Sequence, residues 1–179
     1  MMRKILIFLS FLLLVGCFAK KKTTYSKTRT VSVKSSEDDL AREEKTKKDT
    51  FENKKAEQVI ETALTFTGVR YRYGGITKKG MDCSGLVHVA LTENDIVFPR
   101  VSHQMANEGK RIKIGQVQKG DLLFFKTSKR GKDINHVGLV VAVDDEIKFI
   151  HSTTSRGVIV SSLREGYWNA AFVKATRIL

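Results

Sequence analysis

About two thirds of this chain reads as helical periodicity followed by strand periodicity, and that order limits the folds open to it. Ala56, Val59, Ile60, Ala63 and Leu64 recur at three- and four-residue intervals up to Gly68, which predicts an amphipathic helix. Tyr71-Arg72-Tyr73-Gly74-Gly75 reads as a short extended piece ending in a glycine turn. Residues 84–93 carry Leu86, Val87, Ala90 and Leu91 on one side and predict a second helix, and residues 102–109 predict a short third. After Gly120-Asp121 the pattern becomes β, over residues 122–126, 135–143, 146–152, 158–161 and 172–178. Helices first and strands afterwards imply an α+β domain over residues 56–179, with N-terminal helices packed on an antiparallel sheet. A chain of 179 residues, 41% of them hydrophobic, has room for one core and no second sizeable domain.

Upstream of Ala56 the composition is different. Arg3 and Lys4 precede an apolar run over residues 5–15, which has signal-peptide length and falls short of the roughly 20 residues of a spanning helix. Leu14-Val15-Gly16-Cys17 resembles the bacterial lipobox. That resemblance implies a lipoprotein signal peptide over residues 1–16, cleavage before Cys17, and acylation of its sulfur and new amino group. Several acyl chains anchor a protein stably where a single one binds marginally. Residues 17–55 are then expected to be a lipidated N-terminus and a basic linker: Lys20-Lys21-Lys22, a Thr/Ser-rich stretch and a mixed-charge run hold too few apolar residues to offset the entropy of ordering. This segment is expected to be disordered, with nascent helix near residues 38–48, and to span roughly 35 Å as a coil.

The net charge of +13 raises the question of a nucleic-acid partner. Its distribution argues against one, because the excess is spread over the signal, the linker and the domain without a recognised nucleic-acid motif. An exported basic chain instead meets anionic lipid or the anionic cell wall, or simply has a solvated surface.

The chemistry centres on Cys83, in Met81-Asp82-Cys83-Ser84-Gly85-Leu86-Val87. With Cys17 acylated it is the one free thiol, and it stands where the second helix begins. Unpaired N–H groups and the positive end of the helix dipole stabilise a thiolate there, and with an imidazolium nearby such a thiol falls to about 3.5–7.5. A base has to come from a strand passing the helix start. His136 opens the strand at 135–143 and His151 lies near the end of the next one. If Asp144-Asp145 is a two-residue hairpin loop, His151 falls opposite Gly138, on the same sheet face as His136. A three-residue loop would send His151 to the opposite face. His136 then takes the thiol proton and returns it to the leaving amine, while His151 fixes the tautomer of His136. A zinc site is the alternative use of one cysteine and two histidines, but a helix-start cysteine serves better as a nucleophile, so neither metal nor cofactor is expected. His88 is expected to point away from the thiol. His103 is expected on a solvated loop or helix start near the groove, and Trp168 and Phe172 in the core, while Lys129-Arg130-Gly131-Lys132 fits either a solvated loop or an approach to an anionic glycopeptide.

These motifs, together with Pro99-Arg100-Val101-Ser102, Lys119-Gly120-Asp121-Leu122-Leu123-Phe124-Phe125, His136-Val137-Gly138 and Ile150-His151-Ser152, occur in a recognisable order. From roughly residue 55 to 163 the chain resembles the NlpC-type cell-wall cysteine peptidases, a branch of the papain-like fold. The resemblance implies that Cys83, His136 and His151 are catalytic and that Tyr71 helps bind the developing oxyanion. It further implies that Asp82, Ser84, Arg100 and Ser102 line the substrate groove. Tyr73 stands where such proteins often have tryptophan and is expected to keep an aromatic packing role. The implied activity is a membrane-tethered murein peptide hydrolase, cutting either the γ-D-glutamyl–diaminopimelate bond within a stem or the D-alanyl–diaminopimelate bond between stems. A non-catalytic wall-binding lipoprotein, or an amidase or acyltransferase on the same thiol scaffold, is the alternative. The partners implied are peptidoglycan and, through lipid, a membrane. A monomer is expected in a bacterial cell envelope, on the periplasmic face of the outer membrane.

Overall fold

A computed structural model describes residues 34–128 and 133–179. The expected signal peptide, Cys17, the first part of the expected linker and Lys129-Arg130-Gly131-Lys132 lie outside the described residues. The elements run α1 (Lys34–Leu64), β1 (Ile76–Thr77), β2 (Gly80–Met81), α2 (Cys83–Thr92), α3 (Ser102–Met105), β3 (Lys110–Ile112), β4 (Leu122–Phe125), β5 (His136–Val143), β6 (Ile147–Thr153), β7 (Gly157–Ser162), α4 (Gly166–Ala171) and β8 (Phe172–Arg177). β1 and β2 form a small hairpin, and the other six strands make one antiparallel sheet in the order β3-β8-β4-β5-β6-β7. This is the α+β arrangement that the order of periodicities predicts.

The sheet is covered on both faces, and strand alternation decides which side chain meets which layer. Leu122, Phe124, Val137, Leu139 and Ile150 pack under Val59, Ile60 and Ala63 of α1 and Leu86, Val87, Ala90 and Leu91 of α2. Their neighbours Leu123, Phe125, Val140 and Phe149 face the other way, against Trp168 of α4 and Ala175 of β8. Phe66, just past α1, is buried in the first layer, whereas Leu64, assigned to the apolar face from its spacing, is half exposed.

The N-terminal part of α1 departs from the sequence expectation. Residues 34–55 continue the helix that Ala56 and Val59 anchor, so no structural break separates linker from domain. Burial is not the cause, since residues 39–51 are exposed. A packed segment at 56–63 supplies the costly nucleus, after which each added residue needs only helix-compatible side chains, and this stretch is rich in Lys and Glu. A Lys48–Glu52 pair at 3.8 Å adds little. Among the described residues no helix is long and apolar enough to cross a membrane.

The β5–β6 hairpin fixes the histidines by a route the sequence does not reveal. Val143 pairs with Ile147, so the loop is three residues, 144–146, and not two. A bulge at Val141 then absorbs one residue of β5, and Leu139 pairs with Ile150. One step further along, His151 comes opposite Gly138, as a two-residue loop without a bulge would have placed it.

Candidate active site

Cys83 is the first residue of α2. Asp82 caps that helix by accepting the Gly85 N–H at 2.6 Å, in the arrangement that holds orphan N–H groups at a helix start. Backbone N–H groups of Val137, Ser84 and Cys83 hydrogen-bond toward the sulfur. The Val137 contact matters most for the geometry, because it brings the thiol of the helical layer to the start of strand β5, whose first residue is His136. Ser152 Oγ donates to the Met81 carbonyl at 2.8 Å and ties β6 to the same segment.

The two imidazoles meet directly. His136 Nε2 and His151 Nδ1 are 2.9 Å apart, and His151 Nε2 lies 2.9 Å from Ser161 Oγ. If His136 is to accept a proton on Nδ1, its Nε2 must carry the hydrogen and donate to His151 Nδ1. His151 then carries its own hydrogen on Nε2 and donates to Ser161. The whole chain is consistent with one tautomer of each ring. Trp168 closes it from water, stacked on His136 with ring centroids 5.2 Å apart and edge-on to His151 at 4.5 Å.

Burial has electrostatic consequences that differ from the helix-dipole expectation. It pushes the Cys83 thiol up, outweighing the backbone N–H groups aimed at it. It pushes His136 down to about 4 and His151 to about 3, the latter helped by the His136 and Arg156 charges. Desolvation disfavours the charged form of each group. Burial thus favours the uncharged form of the thiol and of both imidazoles.

In comparison with known proteins, the NlpC/P60 family model matches residues 68–177. The chain belongs to the NlpC/P60 family. The probable endopeptidase NlpC of Escherichia coli K12 is 44% identical over 112 residues, covering 62% of this chain and 70% of that protein. Murein DD-endopeptidase MepS/Murein LD-carboxypeptidase of the same strain is 36% identical over 123 residues, covering 68% of this chain and 62% of its own length. A solved NlpC/P60 protein from Bacillus cereus ATCC 10987 superposes with a TM-score of 0.62 at 30% identity, covering 68% of this chain and 39% of that one. The chain thus spans less than two thirds of the MepS relative and of the Bacillus protein.

In this NlpC/P60 domain two hollows meet at Cys83 to make a groove. One, of about 480 Å³, is lined by His136, Arg156, Glu165, Tyr167 and Trp168 among others. The second, of about 510 Å³, is lined by Asp82, Ser84, Arg100, Ser102 and His103 among others. Tyr71, Cys83 and Asn135 border both. Tyr71 therefore stands beside the thiol, and burial, followed by the nearness of Cys83 and Asp82, raises its phenol and keeps it a hydrogen-bond donor.

The expected groove residues are present but largely engaged with one another. Arg100 donates to both Asp82 oxygens at 3.0 Å and to Ser84 Oγ at 2.8 Å, and Asp82 also accepts from Gly74 N–H and Gly85 N–H. Burial alone would raise the Asp82 carboxyl, but these bonds outweigh it and hold the group below the ordinary carboxylate value. Asp82 and Ser84 thus brace the turn that leads into Cys83 more than they offer free valences to a ligand.

Other expectations resolve individually. Tyr73, expected to pack, is 89% exposed on the rim of the Arg100 hollow, because Gly74 turns the chain outward. His88 faces away from the thiol, with Nδ1 3.3 Å from the Phe98 carbonyl. His103 is exposed but borders the groove. Gly138 makes room for an aromatic ring rather than a gap between histidines: a Cβ there would lie 2.4 Å from the Phe149 ring that supports His151. Ser161 and the dual position of Trp168, both core and groove, escape sequence reasoning. Ser161 gave no signal, being one of two adjacent serines at the end of a strand. Among the described residues no cluster of three or more His, Cys, Asp or Glu is placed to hold a metal.

Proposed function

We propose that this protein is a peptidoglycan peptide hydrolase in which Cys83 is the nucleophile. The observation that carries the reading is the pair of His136 and His151 at 2.9 Å, with His136 and Cys83 bordering one groove. As substrate enters, His136 Nδ1 takes the thiol proton and the thiolate attacks the amide carbonyl. Tyr71 and the Cys83 N–H receive the developing oxyanion, and His136 protonates the departing amine. Water activated by His136 then releases the acyl group. His151 and Ser161 hold His136 in the productive tautomer. The names of the relatives, a murein endopeptidase and a probable endopeptidase, support the choice of substrate.

The bond cut is the γ-D-glutamyl–diaminopimelate or D-alanyl–diaminopimelate amide. A lipid on Cys17 holds the monomeric enzyme on the periplasmic face of the outer membrane; the lipobox-like Leu14-Val15-Gly16-Cys17 supports that placement. Digestion of purified sacculi with the chain from residue 18 onward, followed by mass analysis of the products, tests the activity and names the bond. Binding without new products would favour a non-catalytic wall protein. Products differing from hydrolysis by a transferred group would favour an acyltransferase.

A further inference from the structure

The proposed reaction gives the groove a direction. His136 borders the hollow that contains Arg156 and not the one that contains Arg100. A general acid must reach the amine that departs, so the residue carrying that amine lies on the Arg156 side and the acyl residue on the Arg100 side.

The two ends differ in free charge. Arg100 is met by Asp82 at 3.0 Å. Arg156, in contrast, is exposed on the groove wall, and no carboxylate among the described residues forms an ion pair with it. Glu165 lines the same hollow; its Oε1 accepts the Ser162 N–H at 3.0 Å, and no described cation pairs with it. One unmatched cation and one unmatched anion thus share the leaving-group end.

Arg156 is also held in place, unlike an arginine on a loose turn. Its N–H donates to Thr153 Oγ1 at 3.1 Å, and that hydroxyl donates to the Gly157 carbonyl at 3.3 Å. Gly157 sits at φ +70°, where a Cβ would lie 2.2 Å from the Val69 carbonyl oxygen. Val158 N–H bonds to Val69 and Gly68 N–H bonds back to Val158, both at 2.8 Å. The backbone that carries Arg156 is thus fixed at the groove wall, which keeps its guanidinium within reach of an anion bound in this hollow.

We propose that the hollow beside His136 is the specificity site for the leaving-group residue and takes a zwitterionic end group, its carboxylate at Arg156 and its ammonium at Glu165. The inference rests on the hydrolase reading for its direction. The free end of a diaminopimelate residue has this chemistry, a lysine end lacks the carboxylate, and an amidated end has lost its charge.

The test uses synthetic stem peptides that differ only at that end: carboxylate with ammonium, carboxamide with ammonium, and carboxylate without the amine. Each is measured for kcat/KM with the wild type and for binding to the inert Cys83→Ala variant by calorimetry. The carboxamide should lose roughly tenfold in kcat/KM, chiefly through KM, as expected for a charge-assisted contact. Arg156→Gln should lose a similar factor on the parent peptide and cease to distinguish carboxylate from carboxamide. Glu165→Gln, which keeps the bond to Ser162, should cease to distinguish the peptides with and without the amine. Hydrolysis of all three with equal efficiency, or unchanged discrimination in the two variants, overturns the site and leaves the hydrolase intact. Binding that discriminates through Arg156 without any turnover keeps the site and overturns the hydrolase. Neither binding nor turnover overturns both.

Discussion

The two sides of the groove are built from different materials. On the α2 side, the turn that leads into Cys83 is braced by a polar network in which Asp82 accepts from Arg100, Ser84, Gly74 and Gly85. On the β5 side, the histidines are packed among rings, with Trp168, Phe125 and Phe149 around them. A charged brace sets a direction, since hydrogen bonds fail beyond a few tenths of an ångström. An aromatic enclosure sets the medium, because excluding water strengthens each hydrogen bond left inside. The lesson is that aim and dielectric are assigned to separate walls, so they can be damaged separately.

The largest effect tests what the walls share. Cys83→Ser should cut turnover by at least about 10³-fold while leaving thermal unfolding nearly unchanged; turnover within tenfold of wild type in sacculus digestion refutes the nucleophile. Next, Trp168→Ala should destabilise the fold by about 3–5 kcal/mol in urea unfolding and abolish activity with it. Trp168→Phe, which keeps most of the enclosure, should recover much of both. Asp82→Asn should cost about 2 kcal/mol, since it leaves Arg100 without its charge partner while part of that guanidinium still reaches water. If both losses proved equal in activity at matched stability, the division between aim and medium would be wrong.

Ser161→Ala sharpens the comparison. It leaves His151 Nε2 without an acceptor and should lower kcat roughly tenfold with KM unchanged, and shift the acid limb of the kcat profile. Ser161→Thr, which keeps the hydroxyl, should restore most of the rate. Acid separates the walls without mutation. His136 and His151 titrate near 6.5 in the unfolded chain but at about 4 and about 3 when folded. The unfolded chain then binds more protons in that window, and stability should fall as pH drops from about 6.5 toward 4. Above that window these groups contribute no slope. The Asp82 brace, whose carboxyl is held low, should give way only at still lower pH. A melting temperature that is flat from pH 7 to 4.5 would contradict the burial of the histidines.

Much of this was legible in the chain because the signals are local. The face of α2 follows from the spacing of Leu86, Val87, Ala90 and Leu91, and the cap from Asp82. What escaped depends on tertiary context. β3 is a charged edge strand, Lys110-Arg111-Ile112, with no alternation to read, and α4 has six residues and no side-chain cap. Residues 34–55 lack an apolar face, and composition alone does not show that a packed neighbour nucleates them. The meeting of His136 and His151 was foreseen through a hairpin that differs from the real one, because the extra loop residue and the bulge at Val141 cancel. Parity survived while loop length did not.

α1 remains. A helix of 31 residues is about 46 Å long, and one end is fastened into the domain by Val59, Ile60 and Ala63 and by the Asn94 to Thr62 hydrogen bond at 2.9 Å. A slack coil absorbs a pull; a rod acts as a lever. Force applied near Lys34 arrives as torque on the packing between α1 and α2, and α2 is the element whose first residue is Cys83.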